Sequence, residues 1–354
     1  MPSAGDACRV SFRFDAPEQT AEEQLREAME AARAVQAEPD EYSRGGVVER
    51  LETAFAKTLG KERAVFMPTG TLANHLAVRA LARGKSRVLL QEQGHLYNDS
   101  GDCLQRLSGL NAIPLGHGKA DFDLDEVNRA FRSSASARVT ADIGALVIET
   151  PVRRMHGRRF DTEQAKAICA FCRERGVGLH MDGARLFIES AYTGIPVQTY
   201  AALFDTVYLS LYKYFGAPSG AVLAGPAELI DGLYHDRRMF GGGLNQVWMF
   251  AAMALRGLEG FAGRFARAVT AGEEIKTLMA TVPGLRVSNV PAGTNVFRLE
   301  TEPWIQANAF RDRLWDAQVR LPSPESGVFY LKVNESILAM PPAEIAERFA
   351  SAIR

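Results

Sequence analysis

Cysteine is scarce. Four in 354 residues are too few for the disulfide framework of a small secreted scaffold. Cys169 and Cys172 form a C-x-x-C, but they fall within an apolar-periodic stretch, 165–175, that reads as mid-helix and not as the strand-to-helix turn of a redox motif, so a packing role is expected. No second pair completes a zinc site, and no metal site is expected. No run approaches the roughly 18 apolar residues of a membrane span. The opening residues, Met1-Pro2-Ser3-Ala4-Gly5-Asp6, lack the basic patch and apolar core of a signal peptide, which makes a cytoplasmic location the expectation. Charge of one sign is missing as well: 41 Lys and Arg against 42 Asp and Glu leave a net charge of −1. The electrostatic footprint of a nucleic-acid or anionic-membrane binder is therefore absent, and a small-molecule ligand is expected. No G-x-G-x-x-G follows a strand, which argues against a dinucleotide-binding oxidoreductase. No internal repeat or low-complexity tract interrupts the chain.

What is present is an alternation of short apolar runs and helical patterns, the mark of a mostly parallel sheet covered on both faces. Strands are expected at 63–67, 87–91, 143–149, 177–181, 207–211 and 221–224. Helices are expected at 20–36, 47–59, 72–83 and 162–175, the last with Asp161 and Thr162 as capping candidates. One long helical stretch, 251–279, leads to shorter strands at 294–299 and 328–333 and a final helix, 342–354. The domain reading is an N-terminal segment 1–46, a large α/β domain 47–255 and a small α+β domain 256–354.

In open α/β sheets ligands bind beyond the carboxyl ends of the strands, and here those positions are polar. The first run is followed by Pro68-Thr69-Gly70-Thr71 and a helix, a pattern that serves either as an ordinary N-cap or as a cup of N–H donors for a phosphate. The fourth run ends in His180-Met181-Asp182-Gly183-Ala184-Arg185, where Asp182 and Arg185 are either an ion pair closing a turn or a carboxylate and a cation facing a ligand. The fifth ends in Ser210-Leu211-Tyr212-Lys213-Tyr214-Phe215. A lysine among apolar and aromatic neighbours loses solvation of its charged form and becomes available as a free amine for Schiff-base formation. A phosphate cup, an aspartate at one strand end and a lysine at the next are the parts a pyridoxal cofactor needs: the lysine binds the aldehyde, and the aspartate keeps the ring nitrogen protonated. His95, after the second run, is a candidate to stack on the ring.

These residues resemble the fold-type-I pyridoxal 5'-phosphate (PLP) enzymes, and within them the threonine aldolase and β-eliminating lyase family. The resemblance runs over most of the chain, from about Arg13 to Met253. It is carried by Leu59-Gly60-Lys61-Glu62 with Met67-Pro68-Thr69-Gly70-Thr71-Leu72-Ala73-Asn74, by His180 to Leu186, by Lys213 to Gly220, and by Arg237-Arg238-Met239-Phe240-Gly241-Gly242-Gly243. It implies the aspartate aminotransferase fold: a mostly parallel, seven-stranded type of sheet between helices, plus a small C-terminal α+β domain. It also implies PLP on Lys213, with Asp182 at the ring nitrogen and His95 on the ring face. Thr69, Gly70 and Thr71 would lie at the phosphate, and Arg185, in the cofactor shell, would reach the substrate carboxylate. Arg237 or Arg238 would extend to a neighbouring subunit's phosphate, which implies a homodimer or homotetramer with sites at the subunit interface.

The departures fall on the substrate side. Where threonine aldolases have Arg-Ser-Asp-Thr, this chain has Arg13-Phe14-Asp15-Ala16; Tyr-Gly-Glu-Asp-Pro becomes Tyr42-Ser43-Arg44-Gly45-Gly46. Thr-His-Asn-Arg becomes Pro151-Val152-Arg153-Arg154, and the C-terminal arginine before Val-Thr-His is not found in Tyr330-Leu331-Lys332-Val333-Asn334-Glu335. Charge compensation makes Arg153 or Lys332 candidate substitutes at the substrate carboxylate; the alternative is that Arg153 and Arg154 bridge subunits or meet solvent. The expected reaction is cleavage of the Cα–Cβ bond of a β-hydroxy-α-amino acid to glycine and an aldehyde, with His95 as base. β-Elimination, or another reaction at Cα, is the alternative. A PLP-binding protein without turnover would have no need of both Lys213 and Asp182.

Overall fold

The computed structural model describes residues 9–353, so the opening segment read for a leader, and Arg354, lie outside the described residues. The described chain divides into two compact units. The larger holds Leu25–Ser190 and Gly194–Glu259, and the smaller gathers the segment ending at Gln24, Ala191–Thr193 and the residues from Gly260 on.

Strand β1 (Val10–Ser11) belongs to the smaller unit. The larger unit is built on β2 (Arg63–Met67), β3 (Arg87–Gln91), β4 (Asn111–Leu115), β5 (Ile143–Glu149), β6 (Gly178–Asp182), β7 (Thr206–Ser210) and β8 (Ala221–Gly225). They form one sheet in the order β2-β8-β7-β6-β5-β3-β4. All neighbours run parallel except at β8, which is antiparallel to both β2 and β7. Every residue of β5, β7 and β8 is buried, as expected of central strands covered on both faces. With β8 reversed, β2 and β7 point the same way. The carboxyl ends of β2, β3, β5, β6 and β7 therefore open on one edge of the sheet.

All six expected large-domain strands lie within one residue of their expected bounds. The seventh, β4, went unread because Asn111-Ala112-Ile113-Pro114-Leu115 contains a proline and only a short apolar run. β4 pairs with β3 alone, and an edge strand tolerates a residue that donates no ladder bond. The stretch 251–279 is two helices, Trp248–Leu258 and Phe261–Met279. Gly260, with φ 66, caps the second from the left-handed region, a conformation that apolar periodicity does not register.

The smaller unit has an antiparallel sheet of β9 (Leu285–Asn289), β10 (Val296–Thr301) and β12 (Val328–Lys332) in the order β12-β10-β9, and β1 pairs in parallel with β11 (Val319–Arg320). β9 was also missed: Leu285 is its one buried residue, so no alternation marks it. The core of this unit includes Phe12, Phe297, Phe310, Phe329 and Phe349, with Phe12 edge-on to both Phe297 and Phe349. The final helix is Pro342–Ala352.

Candidate active site

The turn after β2 leads into helix Gly70–Ala82. Thr69 is its N-cap, its side chain accepting the N–H of Leu72 at 3.2 Å. The amides of Gly70 and Thr71 lie in the first turn, where no intrahelical partner exists, and among the described residues they donate to nothing. A Cβ at Gly70 would stand 2.1 Å from the hydroxyl of Tyr208 on β7, so only glycine lets this helix start so close to the sheet. Both roles of Pro68-Thr69-Gly70-Thr71 therefore coexist: the threonine caps, and the two following amides remain open to an anion at the positive end of the helix dipole.

Asp182 is the last residue of β6 and 2% exposed. Its Oδ2 accepts Nδ2 of Asn74 at 2.6 Å and its Oδ1 accepts the N–H of Ala184 at 3.2 Å. Behind Asn74 the line continues through buried groups: Oδ1 of Asn74 lies 2.8 Å from Nε2 of His180, and Nδ1 of His180 lies 2.8 Å from Oγ1 of Thr206. Burial pushes the His180 imidazole down to about 4, so it is neutral near pH 7. An amide facing a carboxylate must present its NH2, which leaves Asn74 Oδ1 as an acceptor and puts the His180 proton on Nε2. Nδ1 then accepts the Thr206 hydroxyl. Asn74 and His180 lie inside the motifs at 67–74 and 180–186, where the local pattern points to a role for neither. Their contacts span 108 and 106 positions, so only the fold reveals them.

His95 opens a short helix, His95–Asn98, just after β3. Its Nδ1 stands 4.0 Å from Oδ2 of Asp182 and 3.4 Å from the Ser100 hydroxyl, so His95 and Asp182 come together. Lys213 follows β7, half-buried, with Nζ 5.6 Å from the centre of the Tyr212 ring. β6 and β7 are parallel neighbours, Asp182 opposite Tyr208, which puts the lysine turn and the aspartate on adjacent strand ends. Ser219 donates to the carbonyl of Pro68 at 3.2 Å and ties the segment after the lysine to the anion turn. Arg185 is buried at the start of helix Leu186–Thr193, and its charge is felt at Glu149 and Tyr208. Glu149, another residue sequence reasoning missed, ends β5. Burial, and then the charge of Asp182 beside it, pushes its carboxyl above the usual range.

The other expected site residues are placed differently. Arg153 donates to Asp99 at 2.6 Å and Arg154 to the same carboxylate at 3.1 Å. Lys332 is in the smaller unit, 3.4 Å from Asp15. Arg237 is 1% exposed and directs its guanidinium inward to the carbonyls of Phe66 (2.7 Å), Tyr42 (3.3 Å) and Ser43 (3.4 Å) of the same chain. Arg238 is exposed, over the Tyr42 ring at 4.7 Å and bonded to the Tyr234 hydroxyl at 3.2 Å. Cys169 and Cys172 are buried in helix Thr162–Arg173, and burial pushes both thiols up to about 12. Among the described residues no group of three or more His, Cys, Asp or Glu side chains is placed to hold a metal, and no helix is long and apolar enough to cross a membrane.

The residues fit PLP on their chemistry. Two open amides at a helix start suit a phosphate, a lysine amine suits the aldehyde, and a buried carboxylate held by an amide and a backbone N–H suits a protonated ring nitrogen. This fold and site define a fold-type-I PLP enzyme. The chain belongs to the beta-eliminating lyase family, which matches residues 20–302. It is 32% identical over 208 residues to the low specificity L-threonine aldolase of Saccharomyces cerevisiae, a match covering 58% of this chain and about half, 53%, of the yeast enzyme. To low-specificity L-threonine aldolase 1 of Arabidopsis thaliana it is 27% identical over 290 residues, 81% of this chain and 79% of that one. The crystal structure of a candidate L-allo-threonine aldolase from Listeria monocytogenes superposes with a TM-score of 0.81 at 26% identity, covering 98% of this chain and 96% of the other.

Proposed function

We propose that this protein is a PLP-dependent lyase that cleaves the Cα–Cβ bond of a β-hydroxy-α-amino acid, giving glycine and an aldehyde. The observation that carries the reading is the convergence on one sheet edge of Lys213, the Asn74-held Asp182, His95 at 4.0 Å from that carboxylate, and the open amides of Gly70 and Thr71. Family membership and the aldolase relatives support it.

When bound, the cofactor supplies an electron sink conjugated with the substrate Cα. Lys213 would hold its aldehyde carbon through the side-chain amine. Asp182, fixed by Asn74 and the amide of Ala184, keeps the proton on the ring nitrogen. Gly70 and Thr71 bind the phosphate with their amides, beside the Thr69 cap. Arg185 receives the substrate carboxylate. Arg153 and Lys332, each on an aspartate, act at most through those pairs. His95 takes the proton from the β-hydroxyl, so the Cβ–O bond becomes a carbonyl while the Cα–Cβ electron pair stays on Cα, which then takes up a proton to give glycine. General-base assistance of this kind typically contributes roughly a hundredfold or more. Arg238, the exposed member of its pair, is the arm that serves a neighbouring subunit, and the assembly is a homo-oligomer.

The test is to load the protein with PLP and add L-threonine and L-allo-threonine, reading aldehyde by coupled reduction. A visible absorption band that Lys213→Ala lacks, with aldehyde from either substrate, is the expected result. A band without aldehyde from either sinks the aldolase assignment, and no band sinks the cofactor assignment as well.

A further inference from the structure

The substrate-side departures include the turn at residues 150–156 after β5, and His95 sits in the turn at 94–99 after β3. One buried side chain touches both. Glu149, 4% exposed, accepts the backbone N–H of His95 on Oε2 at 2.5 Å and the backbone N–H of Arg153 on Oε1 at 2.9 Å. Its own backbone is held at both ends by a single amide: its N–H donates to Oε1 of Gln91 at 2.6 Å, and Nε2 of Gln91 donates to its carbonyl at 2.8 Å. The carboxylate thus stands on a fixed base and reaches in two directions. The two N–H groups arrive from different turns and each meets its own oxygen, which suits a carboxylate, the side chain with two acceptor oxygens and, when ionised, no donor.

A second carboxylate repeats the link farther out. Asp99, in the His95 turn, takes Arg153 and Arg154 of the other turn. Stability alone gives little reason for the inner one. Glu149 is the register partner of Asp182 across β5 and β6, and two carboxylates side by side in a core disfavour each other. The arrangement makes sense if holding these two turns beside Asp182 matters more than that repulsion, with the Arg185 cation offsetting part of it.

We propose that Glu149 is a positioning residue: it fixes the His95 turn and the Arg153 turn to each other and to Asp182, so that the imidazole is held at the height needed to meet the substrate hydroxyl. The part concerning His95 rests on the function proposed above. The clamp itself does not.

The decisive experiment is amide hydrogen exchange on the full-length, PLP-loaded protein, resolved at His95 and Arg153, in wild type and Glu149→Gln. Gln offers one acceptor and turns an NH2 toward the other N–H. The expected result is a rise of about tenfold or more at the amide left facing the new NH2, His95 or Arg153, with β6 and β7 unchanged. A rise at neither amide overturns the clamp. Should β6 and β7 lose protection too, Glu149→Asp, which keeps the charge but shortens the reach, replaces it, and wild-type exchange at both amides overturns the clamp. In turnover, Glu149→Gln should lower kcat about tenfold while KM and cofactor affinity stay within about twofold, and the loss should vanish in a His95→Ala background. A loss of equal size in that background overturns the link to His95. Wild-type protein that releases no aldehyde refutes the proposed function, and the exchange arms still decide the clamp.

Discussion

Asn74 donates its side-chain amide to Oδ2 of Asp182 across 2.6 Å, joining the fifth residue of helix Gly70–Ala82 to the end of β6. The bond is fully buried and one partner is charged, the combination in which a hydrogen bond contributes most. Because the same helix presents the open amides of Gly70 and Thr71, one rigid element sets the distance between the phosphate end and the ring-nitrogen end of the site.

Replacing Asn74 by Ala should therefore weaken PLP binding by about ten- to a hundredfold, the loss of a hydrogen bond to a charged group being about 1.5–3 kcal/mol. Absorbance titration of the apoprotein checks this. Unchanged affinity would mean that Asp182 needs no such support.

His180 makes stability depend on acid. Its folded imidazole titrates at about 4 against 6.5 for an ordinary histidine, because it is buried. Above pH 6.5 the group is neutral in both states and its effect is constant. As pH falls from 6.5 toward 4 the unfolded chain takes up a proton that the folded chain refuses, and stability is lost across that window. Thermal unfolding at pH 7, 6, 5 and 4 should show a steeper fall for the wild type than for His180→Gln. Parallel curves would contradict the buried neutral histidine.

Arg185 is buried and is the cation we assign to the substrate carboxylate. Arg185→Ala should raise KM for the amino acid by about tenfold or more, and Arg185→Lys should not restore it, since a point charge does not reproduce a two-pronged guanidinium. The KM series with intact cofactor absorbance is the measurement. A full rescue by lysine would reduce the role to charge alone.

Two adjacent arginines should separate. Arg237→Ala leaves the buried carbonyl of Phe66 without its donor and should destabilise the fold by about 1–3 kcal/mol in urea unfolding. Arg238→Ala, at an exposed position, should lie within about 0.5 kcal/mol of wild type and instead lower PLP affinity in the assembled protein. The opposite pattern would reverse the two assignments.

The large-domain strands were legible because central parallel strands are continuous apolar runs bounded by polar turns, and Lys213, Asp182 and His95 were legible because each follows such a run. β4 and β9 were not, one carrying a proline that only an edge position permits and the other showing a single buried side chain. The break between the helices ending at Leu258 and starting at Phe261 turns on the backbone angle of Gly260.

The sequence by itself determined the fold class and the chemistry at the sheet edge, since hydrophobic periodicity and strand-end polarity are local properties read along the chain. Tertiary structure alone decided how that chemistry is held: Asn74 and His180 behind Asp182, Glu149 beneath two turns, Arg153 spent on Asp99, and Arg237 turned inward while Arg238 faces out. Each of these depends on a distance between residues far apart in sequence. Such a distance exists only once the sheet has set its strand order and the helices have packed against it.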